Sequence, residues 1–331
     1  MSFVRALSVL SRVGFQHRHC CYLEKKNMAT LLKHSAKYAL SGRLARLGVH
    51  SRHGGLQCLQ PCLLPHQRSA STGSKILVEM DNSTGIAVLT MKSPPVNSLS
   101  LDFLTEFSIS LEKLELDRGC RGVILTSALP KIFSAGLDIM EMYGKSPEHC
   151  GEFWKAVQEM WLRLYGSSMI TIAAINGSSP AGGCLMALAC DYRIMAENPK
   201  YSIGLNETQL GIVAPFWFKD TLVNTVGNRA TELSLQLGLL YSAPDALRTG
   251  LVDLLVPEDK VLSTASQTMT QWLAIPDHAR QITKSMMRKP TVDRLLASRE
   301  PDINNFVSFI TKDSIQKSLR VYMERLKQRK P

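Results

Sequence analysis

Hydrophobic and polar positions divide the 331-residue chain into three stretches with different periodicities. From Lys75 onward, two short β-type runs, Lys75–Met80 and Gly85–Lys92, flank a polar turn at Asp81-Asn82-Ser83, a pattern that predicts a hairpin. Leu101, Leu104, Leu111 and Leu114 then recur at helical spacing behind Ser100, a natural N-cap. Two continuous apolar runs, Gly122–Thr126 and Met169–Ile175, read as buried strands, and Tyr192–Ala196 and Tyr201–Ile203 as shorter ones. Helical patterns fall at about 152–166, 183–190, 217–225, 229–238 and 244–249. Strand and helix alternate with short connectors, which predicts an α/β architecture. From about residue 276 the pattern becomes helical and charged, with apolar Ile282, Met286, Phe306, Ile310, Ile315 and Leu319, consistent with a packing or oligomerisation module.

The first 74 residues follow neither period. Residues 1–75 hold 12 of the 39 Lys and Arg and one acid, Glu24. The formal charge of +11 therefore comes from this end, because 27 bases and 27 acids remain from residue 76 onward. A segment rich in Arg, Ser, Leu and His and nearly free of acids has the composition of a mitochondrial transit peptide. Met28–Leu47 makes a plausible basic amphipathic helix within it, and Met28 a plausible internal start. The C-terminal Gln-Arg-Lys-Pro is no peroxisomal Ser-Lys-Leu address. The expected organisation is thus leader and linker over 1–74, a core over 75–275 and a helical region over 276–331. A neutral body argues against nucleic acid as a partner, and no apolar run reaches the length of a membrane-spanning helix.

Candidate chemistry is narrowed by what the body lacks. Only His149 and His278 lie there, and Cys120, Cys150, Cys184 and Cys190 have no metal-ligand spacing, so no metal site is expected. Cys58 and Cys62 have His53 and His66 nearby, but no core-forming sequence surrounds them. At Ile172–Tyr192 a strand-like run breaks into Ala181-Gly182-Gly183, and an apolar helix follows. Unpaired amides at such a helix start can hold a developing oxyanion. Glu207 is the nearby carboxylate. One acid beside an oxyanion-binding turn suggests proton transfer at a carbon acidified by a carbonyl.

These residues also carry a resemblance. IAAINGSSPAGGCLMALACDY (172–192) resembles the signature of the crotonase (enoyl-CoA hydratase/isomerase) family, FSAGLDI (133–139) its first oxyanion segment, and QLGLLYSAPDALRTGLVDLLVP (236–257) its stretch after the core. The resemblance spans about 75–275. It implies a spiral of repeated ββα units with a C-terminal helical module, and a fatty acyl-CoA thioester as substrate, with no cofactor beyond that CoA. It also implies an oxyanion hole from the Ala135 and Gly182 N–H groups, with Gly136, Leu137, Asp138, Ile139 and Asn206 around the substrate. By family habit the assembly is a homotrimer.

One departure is informative. Hydratases of the family carry a Glu directly after the Gly-Gly-Cys, where this chain has Leu185, while the second family carboxylate is kept as Glu207. A Leu cannot activate water. A single base suffices to move a proton from one carbon to another, which is double-bond isomerisation. GLNETQLGI (204–212), APFW (214–217) and SPPVNSLSL (93–101) resemble the family's isomerase members. These imply conversion of 3-enoyl-CoA to trans-2-enoyl-CoA in the mitochondrial matrix, within β-oxidation of unsaturated fatty acids, with Glu207 as acid and base. Ile203, Leu205, Leu210, Ile212, Val213, Pro215, Phe216 and Trp217 are candidates for an apolar pocket around Glu207. The alternatives are a hydratase working with one carboxylate, a dienoyl-CoA isomerase recruiting Asp138, Glu141 or Asp220, and a non-catalytic acyl-CoA or RNA-binding relative.

Overall fold

The computed structural model describes residues 73–328. The rest of the expected leader, residues 1–72, with its amphipathic segment and four cysteines, lies outside the described residues.

The predicted hairpin is present: β1 (Ile76–Asp81) pairs antiparallel with β2 (Ile86–Met91). Next come β3 (Ser98–Leu99) and α1 (Leu101–Leu116), whose cap Ser100 accepts a hydrogen bond from Phe103 N. The strands β4 (Gly122–Ser127) and β7 (Ile170–Ile175) are buried at every position, as expected of parallel strands covered on both faces. Between them lie β5 (Lys131–Ile132), β6 (Gly136–Leu137) and α2 (Pro147–Gly166). After β7 the chain runs through β8 (Gly177–Pro180), α3 (Gly182–Ala189), β9 (Tyr192–Ala196) and β10 (Ser202–Gly204). Then follow α4 (Phe216–Val226), α5 (Asn228–Leu237), β11 (Tyr241–Ser242), α6 (Ala243–Arg248), β12 (Leu254–Val256) and α7 (Val261–Leu273). Helices α8 (Asp277–Ala297), α9 (Arg299–Ile310) and α10 (Asp313–Gln328) end the described chain.

Six strands form the main sheet in the order β1-β2-β4-β7-β9-β12, parallel from β2 onward. The turns through β4, β7 and β9 each add one strand to this sheet and a second, β5, β8 or β10, to a smaller sheet, β11-β10-β8-β5, while β3 pairs with β6. The units β7-β8-α3 and β9-β10-α4 make the ββα repeat explicit, so the expected α/β spiral is what the chain adopts. All eight residues of α3 are buried, which explains an apolar helix with no polar face.

The C-terminal helices pack on the core rather than apart from it. Phe306 of α9 stacks on Trp154 of α2 with ring centroids 3.9 Å apart, and Trp154 meets Trp217 of α4 at 5.7 Å. At the N-terminal ends of β7 and β9, buried Asp191 pairs with Lys284 at 2.7 Å and Arg288 at 2.9 Å, both on α8. Among the described residues no helix is long and apolar enough to cross a membrane.

Candidate active site

Loops that follow the C-terminal ends of β4, β7 and β9 converge on one cavity of about 340 Å³. Its floor begins with the segment after β5. There Asn97, itself fully buried, donates to Ser127 Oγ at 2.8 Å and to Phe133 O at 3.0 Å, tying two loops together. Ser134 Oγ donates to Asn97 O at 2.7 Å and accepts from Gly136 N at 3.1 Å. This scaffold explains Asn97 within SPPVNSLSL: it holds the small-residue turn in place.

The oxyanion donor expected at Ala135 is corrected by this geometry. Ala135 N–H already donates to Val96 O at 2.9 Å, so it serves the scaffold. Gly136, with φ of +88°, turns the chain, and β6 then pairs with β3. Asp138 N–H donates to Leu99 O at 3.2 Å. Amides alternate along a strand, so the Leu137 N–H points away from β3. A methyl built on Gly182 would lie 3.0 Å from Leu137 N, and one on Gly136 only 2.8 Å from Gly182 N. The two backbones therefore touch at Leu137 and Gly182, and only glycine at 136 and 182 permits that approach.

The second half of this contact is the start of α3. Ala181 holds φ of +49°, a rarely populated conformation for a residue with a side chain. It is fixed there by Ala181 N donating to Gly204 O at 2.8 Å and Leu185 N to Ala181 O at 3.0 Å. Gly182 N–H sits in the first turn of α3, where helix amides lack partners and the dipole favours negative charge. Nothing among the described residues accepts from it.

Glu207 opens a 3-10 turn, Glu207–Leu210, after β10. It is 7% exposed and lines the cavity, yet neither carboxylate oxygen has a hydrogen-bond partner among the described residues. Burial pushes its carboxyl up to about 7, against a small opposing effect of its own backbone amide. The buried thiol of Cys184 is driven upward, first by burial and then by the Glu207 charge, so it is no nucleophile. Asn206 is buried beside Glu207, and its Oδ1 also has no partner.

Of the residues read from sequence, Ala135, Leu137, Ile139, Asn206 and Glu207 line the cavity together. Gly136 and Gly182 stand behind the lining as backbone contacts, and Asp138 turns aside to cap a 3-10 turn through Met140 N at 2.9 Å. Leu210, Ile212, Val213, Pro215 and Phe216 face the cavity as expected, whereas Ile203, Leu205 and Trp217 belong to the core. Leu185 is fully buried and does not reach the cavity. The other nominated acids are engaged elsewhere. Glu141 accepts from Leu101 N at 3.0 Å and contacts His149 Nε2 at 2.6 Å, and Asp220 pairs with Lys219 and Arg294.

One wall was not legible in the sequence. Asp302, Phe306 and Phe309 of α9, with Tyr322 of α10, line the same cavity from the C-terminal region. Their apolar spacing signals a helix, not which surface it covers. Among the described residues no cluster of three His, Cys, Asp or Glu side chains could hold a metal.

Comparisons with known proteins place the chain in a family. Residues 81–330 match the family model described as enoyl-CoA hydratase/isomerase. Enoyl-CoA delta isomerase 1, mitochondrial, of Rattus norvegicus is 66% identical over 259 residues, which cover 78% of this chain and 90% of the relative. The same-named Homo sapiens protein is 64% identical over 256 residues, covering 77% and 85%. The crystal structure of human mitochondrial delta3-delta2-enoyl-CoA isomerase matches with a TM-score of 0.77 at 64% identity, across 78% of this chain and 100% of that one. A signature turn, a ββα spiral and a family match over most of the chain converge: this chain belongs to the enoyl-CoA hydratase/isomerase family.

Proposed function

We propose that this chain is a mitochondrial matrix isomerase that shifts the double bond of cis- or trans-3-enoyl-CoA to trans-2-enoyl-CoA. The observation that carries this reading is Glu207: a buried carboxylate, unpartnered among the described residues, in a largely apolar cavity that Leu137 also lines. Glu207 takes the C2 proton, and the electron pair spreads onto the thioester oxygen. The N–H groups of Leu137 and Gly182 hold that oxygen as its charge grows, the stage at which donors accelerate a reaction. Glu207 then returns the proton to C4, so nothing enters or leaves but the rearranged ester. No redox or metal step is required, and the only CoA belongs to the substrate.

Water activation by two carboxylates has no counterpart at Leu185, which is why isomerisation is favoured over hydration. Names of relatives 64–66% identical support the same activity and compartment. Residues 1–74 serve as a presequence in this reading. Glu106 accepts from Lys75 N at 3.1 Å and Ile76 N at 3.2 Å, anchoring the start of the folded body. The mature N-terminus isolated from matrix should accordingly precede Lys75. A homotrimer completes the proposal, and the exposed Ile282, Met286 and Met287 of α8 offer apolar surface for association. Light scattering that gives a monomer mass would remove that part.

The deciding test is Glu207→Gln. Turnover of 3-enoyl-CoA should fall by at least about a thousandfold, the scale of a lost acid-base group or more, while acyl-CoA binding and folding persist. Near-parental turnover would sink the mechanism.

A further inference from the structure

The C-terminal wall of the cavity contains a second carboxylate, Asp302, whose two oxygens live in different environments. Oδ2 accepts from Trp154 Nε1 at 2.8 Å, Gln158 Nε2 at 2.8 Å and Trp217 Nε1 at 3.2 Å. Those three donors come from α2 and α4 and fix the carboxylate rigidly. Oδ1 has no hydrogen bond from any described residue, and Asp302 lines the cavity. Around it the wall is mainly aromatic, with Trp154, Phe218, Phe306 and Phe309, and Asn305 is a further polar side chain there.

We propose that Asp302 is a specificity-determining residue that limits how long an apolar acyl tail the cavity accepts. The proposal rests on the isomerase reading for the direction of the substrate. The thioester is held at Leu137 and Gly182 and the reacting carbons lie at Glu207, so the tail alone can explore the remaining walls. At about 340 Å³ the cavity is near the small end of the roughly 300–1,000 Å³ typical of ligand sites, so a long tail must touch the Asp302 wall. A hydrocarbon tail has no donor to offer Oδ1. It displaces water from a charged oxygen and replaces it with nothing, the costly kind of burial. Short tails stop before the carboxylate and escape this penalty. The same carboxylate is needed by the two indole N–H groups, which explains an acid in a mainly aromatic wall.

The test compares Asp302→Asn with the parent enzyme on 3-enoyl-CoAs from hexenoyl to hexadecenoyl. Asparagine keeps an oxygen for Trp154 and Trp217 but removes the charge from the cavity face. The long-chain to short-chain ratio of kcat/KM should rise about tenfold, the scale of sparing one carboxylate oxygen its desolvation. Asp302→Ser, smaller and neutral, should move the ratio in the same direction. Dissociation constants of the matching saturated acyl-CoAs provide a readout without turnover, and their length ratio should shift likewise. An unchanged ratio, or an equal loss at all lengths, overturns the proposal and leaves Asp302 as a structural anchor. Absence of turnover at every length in the parent would count against the isomerase reading instead, and the binding ratios would still decide the role of Asp302.

Discussion

Glu207 is costly to keep: a carboxyl in a largely apolar cavity with neither oxygen partnered among the described residues. Burial raises it from 4.5 to about 7, and that shift has two opposite consequences with pH. The base form grows as pH rises through about 7, so kcat/KM should climb below that point and level off above it. Stability runs the other way. Between about pH 4.5 and 7 the native state keeps a proton that the unfolded chain has released, so unfolding free energy falls as pH rises across that window. The full shift corresponds to about 3 kcal/mol. Glu207→Gln cannot ionise, so urea denaturation should show the parent losing ground to this variant across the window. Parallel stability profiles would contradict the cause assigned to the shift. Glu207 was legible in the sequence as an acid among apolar residues at a fixed interval from a glycine turn. The proposed donor at 137 rather than 135 was not, because which amide is free depends on the positive φ of Gly136 and the pairing of β6 with β3. Asp302 was hidden for another reason: its partners Trp154, Gln158 and Trp217 come from distant parts of the chain, and no local pattern records that meeting.

Elements were readable where a periodic pattern built them. The long buried strands β4 and β7, the hairpin β1–β2 and the capped helix α1 appear within a residue or two of their expected limits. The short strands β3, β5, β6 and β8 fall in Ser-, Gly- and Pro-containing stretches, and pairing with a neighbour, not side-chain alternation, makes them strands. Those unpredicted pieces are the ones that carry the site. Helix α3 is set against β6 so closely that a single methyl measures the fit. Gly182→Ala suits a helix by propensity, but its new carbon would lie 3.0 Å from Leu137 N and 3.1 Å from a Leu99 methyl. It would push apart the two amides proposed to hold the thioester oxygen. Loss of one such donor typically costs about 10²–10³ in rate. The expected outcome is a fall of about that size in kcat with the thermal melting point little changed. Unimpaired kcat in this variant would exclude Gly182 from the oxyanion hole.

At the scale of the whole molecule, the cavity depends on helices that the sequence marked only as charged and amphipathic. Helix α9 brings Asp302 and Phe306 to the cavity, and α8 leads into it. Helix α8 is held at the far end of the sheet, where β4, β7 and β9 begin. Asp191 there is buried, accepts from Thr171 N at 2.8 Å, and faces both Lys284 and Arg288. Arg288 also donates to Tyr165 O and Ala189 O at 2.9 Å and to Cys190 O at 3.1 Å. Burial lowers Lys284 to about 8 even with Asp191 beside it, so the ammonium has little margin. Such a cluster adds less stability than its distances suggest, but removing one partner strands buried charge. Asp191→Asn can keep the bond from Thr171 N while withdrawing the negative charge from two cations. It should therefore cost about 3–5 kcal/mol in chemical denaturation. Adding Lys284→Met to Asp191→Asn should recover part of that loss, because the stranded ammonium is then gone. Turnover per folded molecule should stay near the parental value, since this cluster lies at the opposite end of the strands from Glu207. A cost below about 1 kcal/mol, the worth of an exposed pair, would mean that packing and not charge holds α8, and with it the wall that α9 presents to the cavity.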